Sequence, residues 1–196
     1  MKHTVPGIPD EQFIRGDIPM TKQEIRILAL VKARLAADST VVDIGAGTGT
    51  IAVEAALLAP RGRVFAVEKE TEGVGLIRAN AAKFGAANLE IVAGEAPDAL
   101  AGLPAADAIF IGGSGGRLAA ILAAADRLLK PGGRLVATAV TVETLHAVLA
   151  AVAEWPGYST EAAGVQVTRL RRAGARHLFA ALNPVYVIVC TKGGPQ

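Results

Sequence analysis

The chain has 196 residues, with 20 Lys and Arg against 18 Asp and Glu and a formal net charge of +2. That length suits one domain, 1–196, with a sizeable core, and so balanced a charge excludes a bulk electrostatic footprint for nucleic acid. Hydrophobic residues make up 52%, much of it alanine, while aromatics are only 4% and form no basic-aromatic stripe on which bases stack.

Residues 1–19 are rich in Pro and Gly, lack periodicity and read as an ordered or semi-ordered arm. The opening Met1-Lys2-His3-Thr4-Val5-Pro6 lacks the apolar core of a signal peptide. No apolar run reaches the length that crosses a bilayer, so a cytoplasmic protein with no membrane partner is expected. Thr21-Lys22-Gln23-Glu24 matches a capping box, with Thr21 as N-cap. Ile25, Leu28 and Leu35 carry the helical pattern toward Ala37.

A β-branched run over 40–44 predicts the first strand, and a helix after it stops before Pro60. A second strand is predicted over 63–68. A helix over 71–84 tolerates Gly73 and Gly75 and ends at Gly85. Further strands are predicted over 89–93, 107–111 and 134–140, with helices over 118–129 and 142–154. Pro131-Gly132-Gly133 ends the former helix. Two long β-like segments, 158–171 and 179–191, close the chain. Strand-helix alternation implies a parallel sheet with right-handed crossovers. The two consecutive terminal strands imply a hairpin, so one strand is expected to run antiparallel. Cys190, the only cysteine, lies in an apolar strand pattern, and no thiolate or other metal-ligand spacing exists.

The chemistry concentrates between the first strand and the helix that follows it. Asp43-Ile44-Gly45-Ala46-Gly47-Thr48-Gly49-Thr50 alternates glycines with small residues. Gly45 and Gly47 have dinucleotide-fingerprint spacing, but the third glycine comes one residue early, at Gly49, and no Gly-Lys-Ser/Thr follows. A pyrophosphate needs helix N-terminal amides aimed at it. This loop suits a ligand without phosphate, with glycine backbone beside an amino acid moiety and Asp43 as a nearby acceptor. That description fits S-adenosylmethionine. Glu68, about 20 residues further on, is placed to accept both ribose hydroxyls. NAD uses the same acid, so Glu68 leaves both cofactors open and the loop spacing favours S-adenosylmethionine.

After the fourth strand, Gly112-Gly113-Ser114-Gly115-Gly116 replaces the Asn/Asp-Pro-Pro-aromatic turn of many amine methyltransferases. Its glycines make an open floor for a broad, flat substrate, although a flexible strand-to-helix turn has the same composition. Arg169, Arg171, Arg172, Arg176 and His177 cluster between the last two strands. Arg forks suit carboxylates, and a solvated basic hairpin is the plain alternative. Arg15 and Lys22 are further cationic candidates.

Gly7-Ile8-Pro9-Asp10-Glu11-Gln12-Phe13-Ile14 resembles the amino-terminal signature of the CbiT family. So do Pro19-Met20-Thr21-Lys22, Gly94-Glu95-Ala96-Pro97, Ile111 to Gly116, Leu129-Lys130-Pro131-Gly132-Gly133 and Asn183-Pro184-Val185. The likeness covers nearly the whole chain and extends to the C-terminal half of the fused enzyme CobL, without its C-5 methyltransferase half. It implies the class I S-adenosylmethionine-dependent methyltransferase fold, a Rossmann-like α/β architecture with a seven-stranded, mostly parallel sheet and a C-terminal antiparallel hairpin. It also implies methylation of C-15 of a precorrin in cobalamin biosynthesis, with decarboxylation of the C-12 acetate chain.

Carried over residue by residue, the cofactor contacts fall on Thr21, Gly45 to Gly49 (with Ala46, Gly47 and Thr48), Glu68 and Ala96. Glu68 and Glu95 stand where the family commonly has Asp. Asn183 joins the glycine loop and the Arg cluster as a substrate candidate. The resemblance further implies a homotetramer and a separate C-5 methyltransferase partner. Rivals are a class I methyltransferase acting on RNA or protein, an NAD-binding oxidoreductase, and a non-catalytic cofactor-binding subunit.

Overall fold

The computed structural model describes residues 5–193. Met1 to Thr4 of the arm lie outside the described residues. The elements in chain order are α1 (Gln23–Ala33), β1 (Thr40–Ile44), α2 (Thr50–Leu58), β2 (Arg63–Glu68), α3 (Thr71–Phe84), β3 (Leu89–Ala93) and β4 (Ala106–Ile111). They continue as α4 (Leu118–Leu128), β5 (Leu129–Ala139), α5 (Val142–Ala153), β6 (Tyr158–Val165), β7 (Thr168–Ala173), β8 (Arg176–Ala181) and β9 (Val185–Lys192).

Seven strands form one sheet in the order β3-β2-β1-β4-β5-β9-β6. The first five pair in parallel, and β9 runs antiparallel between β5 and β6. Strand alternation sends Val41 and Val42 to opposite faces. Val41, Val64, Phe110 and Val136 pack under α1, α2 and α3 through Ile25, Leu30, Ile51 and Ile77. Val42, Ile44, Val67 and Ile109 pack under α4 and α5 through Ile121, Leu122, Val148 and Val152. Cys190 is fully buried in this second cluster.

Three expectations are corrected. Helix α1 starts after Lys22, not Thr21, and no side chain caps it. Glu24 is drawn away by Arg169, whose Nη2 and Nε donate to it at 2.7 and 3.0 Å, and the guanidinium holds the Glu24 carboxyl below the usual carboxylate range. A threonine cap occurs instead at α5, where Thr144 N donates to Thr141 Oγ1 at 3.1 Å. Strand β5 begins at Leu129, because a register shift between Ala106 and Ala108 lets the Pro-Gly-Gly segment enter the ladder as an irregularity.

The two terminal β-segments are in fact four strands. Only β6 and β9 join the main sheet, while β7 and β8 form a separate antiparallel ribbon. Asn183-Pro184 lies between β8 and β9, and Pro184 has no amide to donate.

The aperiodic arm is ordered by long-range contacts. Ile8 and Phe13 bury against Val53 of α2. Asn80 of α3 accepts from Ile14 N at 2.8 Å and donates to Ile14 O and Thr48 O. Arg26, fully buried, reaches Glu54, Asp10 and the Ile8 and Thr21 carbonyls. Among the described residues no helix is long and apolar enough to cross a membrane.

Candidate functional site

The sheet order reverses between β1 and β4, and a crevice opens where their C-terminal ends diverge, the usual ligand position in such sheets. Two glycine segments meet there. Gly112 N donates to Ile44 O at 3.0 Å. A Cβ on Gly45, whose φ is +69°, would stand 2.5 Å from Gly113 O. Only glycine meets both demands, the left-handed backbone and the close approach. Helix α3 approaches from the other side, where a Cβ on Gly73 would stand 2.7 Å from Glu68 Cγ. That contact gives a packing reason for a glycine inside a helix.

The crevice holds a cavity of about 260 Å³ walled by Gly45, Gly47, Glu68, Lys69, Gly94, Glu95, Ala96 and Gly112 to Gly115, with Ile18 and Pro19 of the arm. Glu68 is buried, and its two oxygens accept three backbone hydrogen bonds, leaving acceptor capacity on Oε2. Its Oε2 accepts from Gly47 N at 2.7 Å, and its Oε1 accepts from Lys69 N and Glu70 N at 2.8 and 2.9 Å. The glycine loop spends its amides internally. Gly45 N and Ala46 N donate to Val67 O, and Gly49 N donates to Ala46 O. With Gly47 N on Glu68, those amides are not free for a pyrophosphate.

A ligand with hydroxyls for Glu68 and an apolar, hydrogen-bonding base for the Gly94–Ala96 backbone fits this donor set. S-adenosylmethionine is such a ligand. Glu95 lies at the rim between two cations, with Lys69 Nζ at 3.2 Å and Arg117 Nη1 at 3.4 Å. Lys69 and Ile18 escaped notice in the sequence, and Pro19 entered only as part of a family-like segment. Lys69 had one signal, its place directly after Glu68.

Asp43 and Thr48 lie beneath the cavity rather than in its wall. Asp43 is 1% exposed and its Oδ2 accepts from Ala52 N at 3.1 Å. Thr48 Oγ1 is buried without a hydrogen-bond partner among the described residues. Burial pushes the Asp43 carboxyl up to about 7, the Ala52 amide opposing the rise and the charge on Glu68 adding to it. The folded value thus lies above the unfolded value of about 4. Between these values the unfolded chain releases a proton that the folded chain keeps. Stability therefore falls as pH rises from about 4 to 7 and is level above that. Asp43→Asn, which keeps an acceptor for Ala52, is expected to flatten the decline. Parallel melting curves for variant and wild type at pH 5, 6, 7 and 8 would sink this account.

Past Gly45 and Gly112 a second cavity, of about 310 Å³, opens on the far side of the loops. Thr21 and Ala46 line it, with Lys22, Ile25, Thr138, Val140 and Val185. Of the substrate candidates, Gly112, Gly113, Ser114 and Gly115 line the first cavity and Gly112 also the second, while Gly116 lines neither. Arg169, Arg171, Arg172 and Asn183 also stand outside both walls. Arg169 is committed to Glu24 and, at 3.4 Å, to Asp10. Arg172 Nε donates to Gly174 O at 3.1 Å, and Asn183 is exposed beyond Val185.

A parallel sheet in this order, with its penultimate strand reversed and a glycine loop and acid closing its first two strands, is the class I methyltransferase fold. The chain belongs to the precorrin methyltransferase family: the pattern of the precorrin methyltransferase domain matches residues 12–192. The cobalt-precorrin-6B C(15)-methyltransferase (decarboxylating) of Salmonella typhimurium is 43% identical over 184 residues, covering 93% of this chain and 95% of that protein. The crystal structure of precorrin-6y C5,15-methyltransferase from Geobacter metallireducens superposes with a TM-score of 0.90 at 41% identity, covering 95% of this chain and 98% of that one. That of precorrin 8w decarboxylase from Methanobacterium thermoautotrophicum gives 0.86 at 32%, covering 93% and 98%.

Proposed function

We propose that this chain is a single-domain enzyme of cobalamin biosynthesis that methylates C-15 of a precorrin from S-adenosylmethionine, with decarboxylation of its C-12 acetate chain. The observation that carries the reading is the glycine loop whose amides are consumed internally beside a backbone-held Glu68, opening past Gly45 and Gly112 onto a second cavity. In this reading Gly45, Gly47, Glu68, Glu95 and Ala96 hold the cofactor directly. Asp43, Thr48 and Gly49 hold the loop. Ala46, Thr21 and Gly112 to Gly115 face the junction with the acceptor.

The bound cofactor supplies an electrophilic methyl and its own leaving group. The protein's task is alignment. The second cavity's wall contains no His, Cys, Asp or Glu, which suits an electron-rich macrocycle whose carbon attacks without a strong base. For decarboxylation the bond to the carboxylate carbon breaks, CO2 departs, the conjugated ring takes the electron pair, and a proton from solvent converts the remaining CH2 to a methyl.

The consumed loop amides weigh against an NAD-binding oxidoreductase. The commitment of Arg169 to Glu24 and Asp10 removes one cation from any RNA footprint. A homotetramer fits the β7–β8 ribbon, where Phe179 is 82% exposed and Leu170 66%. Cytoplasmic location and cooperation with a separate C-5 methyltransferase complete the proposal.

Incubation with cobalt-precorrin and isotope-labelled S-adenosylmethionine is expected to give a product that has gained one methyl and lost CO2, read by mass spectrometry. Methylation of tRNA, or retention of NAD and not S-adenosylmethionine in calorimetry, would overturn the reading.

A further inference from the structure

The second cavity holds one charged side chain, Lys22. Met20, Ile25, Val140 and Val185 supply apolar wall around it. Its ammonium has no carboxylate within ion-pair distance among the described residues, and the acid two positions on, Glu24, is taken by Arg169 at 2.7 Å. Lys22 occupies the N-cap position of α1, where its carbonyl accepts from Arg26 N at 2.9 Å while its side chain caps nothing. An unpaired ammonium beside apolar surface is a ready partner for a carboxylate, through a charge-assisted hydrogen bond.

We propose that Lys22 anchors a peripheral carboxylate of the acceptor macrocycle and so fixes which edge of the ring meets the cofactor cavity. This rests on the corrin reading above, since a substrate bearing many carboxylates is what such a lone cation selects. The anchored group is not the one that leaves. An ammonium stabilises a carboxylate more than the transition state in which its charge passes into the ring, so pairing the departing acetate with Lys22 would slow its loss. The departing acetate belongs against the hydrocarbon of Ile25, Val140 and Val185 instead. Lys22 thus separates two kinds of carboxylate on one substrate, one held by charge and one placed against hydrocarbon.

The test compares wild type, Lys22→Met and Lys22→Arg in steady-state turnover of cobalt-precorrin, with S-adenosylmethionine affinity measured by calorimetry. Lys22→Met is expected to raise the acceptor KM about tenfold, equivalent to ~1.4 kcal/mol. Cofactor Kd should stay within about twofold, the range of a bystander residue and well short of a tenfold effect. Lys22→Arg should recover most of the KM, and added salt should raise the wild-type KM more than that of Lys22→Met. An unchanged acceptor KM in Lys22→Met, with wild type turning over normally, would overturn the inference and leave the proposed function standing. A loss confined to kcat would overturn it equally. A wild type that turns over no precorrin would remove the function and this inference together.

Discussion

Glu68→Ala is expected to weaken S-adenosylmethionine binding by about two to three orders of magnitude. Two losses combine. The carboxylate that would accept the ribose hydroxyls disappears, and hydrogen bonds to a charged group contribute about 1.5–3 kcal/mol each. The substitution also strands the Gly47, Lys69 and Glu70 amides, which now donate to Glu68 at 2.7, 2.8 and 2.9 Å. The glycine loop then loses its tie to β2 and the cradle slackens. Glu68→Gln separates the two losses. It keeps acceptor oxygen for part of this set but no charge, so it should lose about tenfold, less than Ala. Titration calorimetry reads both, and a thermal melt checks that each variant folds. Unchanged affinity in Glu68→Ala would remove Glu68 from the site.

The elements around this residue were legible because their signals are local. The β-branched runs over 40–44 and 63–68 are bounded by Ser39, Gly45, Gly62 and an acid, and the strands occupy those residues. Gly85 stops α3 in the left-handed conformation, φ 68° and ψ 31°, as the glycine after an apolar helix predicts. Failures came where a distant partner decides the outcome. The capping box at Thr21 reads well over four residues, but Glu24 has a guanidinium 145 positions away that binds it more strongly than a backbone amide does. The same contact pairs Arg169 with Glu24, outside both cavity walls. No pattern in the arm foretold which contacts hold it, because its anchors, Asn80, Glu54 and Arg26, belong to three different helices. The ribbon of β7 and β8 is exposed on almost every residue, so it lacks the alternation that marks a half-buried strand.

Arg26→Met is expected to cost about 3–5 kcal/mol of stability, the range for breaking a buried pair by removing one partner. Arg26 is fully buried, Glu54 is 2% exposed and Asp10 7%. Removing the guanidinium leaves two carboxylates with little solvent. Glu54 keeps the Gly7 and Ile8 amides at 2.6 and 3.2 Å, which softens the loss without replacing the charge. Asp10 keeps Arg169 at 3.4 Å. The arm should therefore loosen before the sheet unfolds, exposing Ile8 and Phe13. The effect reaches function because Ile18 and Pro19, further along the same arm, close one side of the cofactor cavity. Denaturant titration should show the lowered midpoint, and limited proteolysis should cut the arm first. A second variant, Arg26→Met with Glu54→Leu, removes the unpaired charge along with its partner and should recover part of the stability, since apolar replacement of a whole buried pair is often neutral. If the single variant melts with wild type, the buried ions offset only their own desolvation, and the arm is held by Ile8, Phe13 and Asn80 instead.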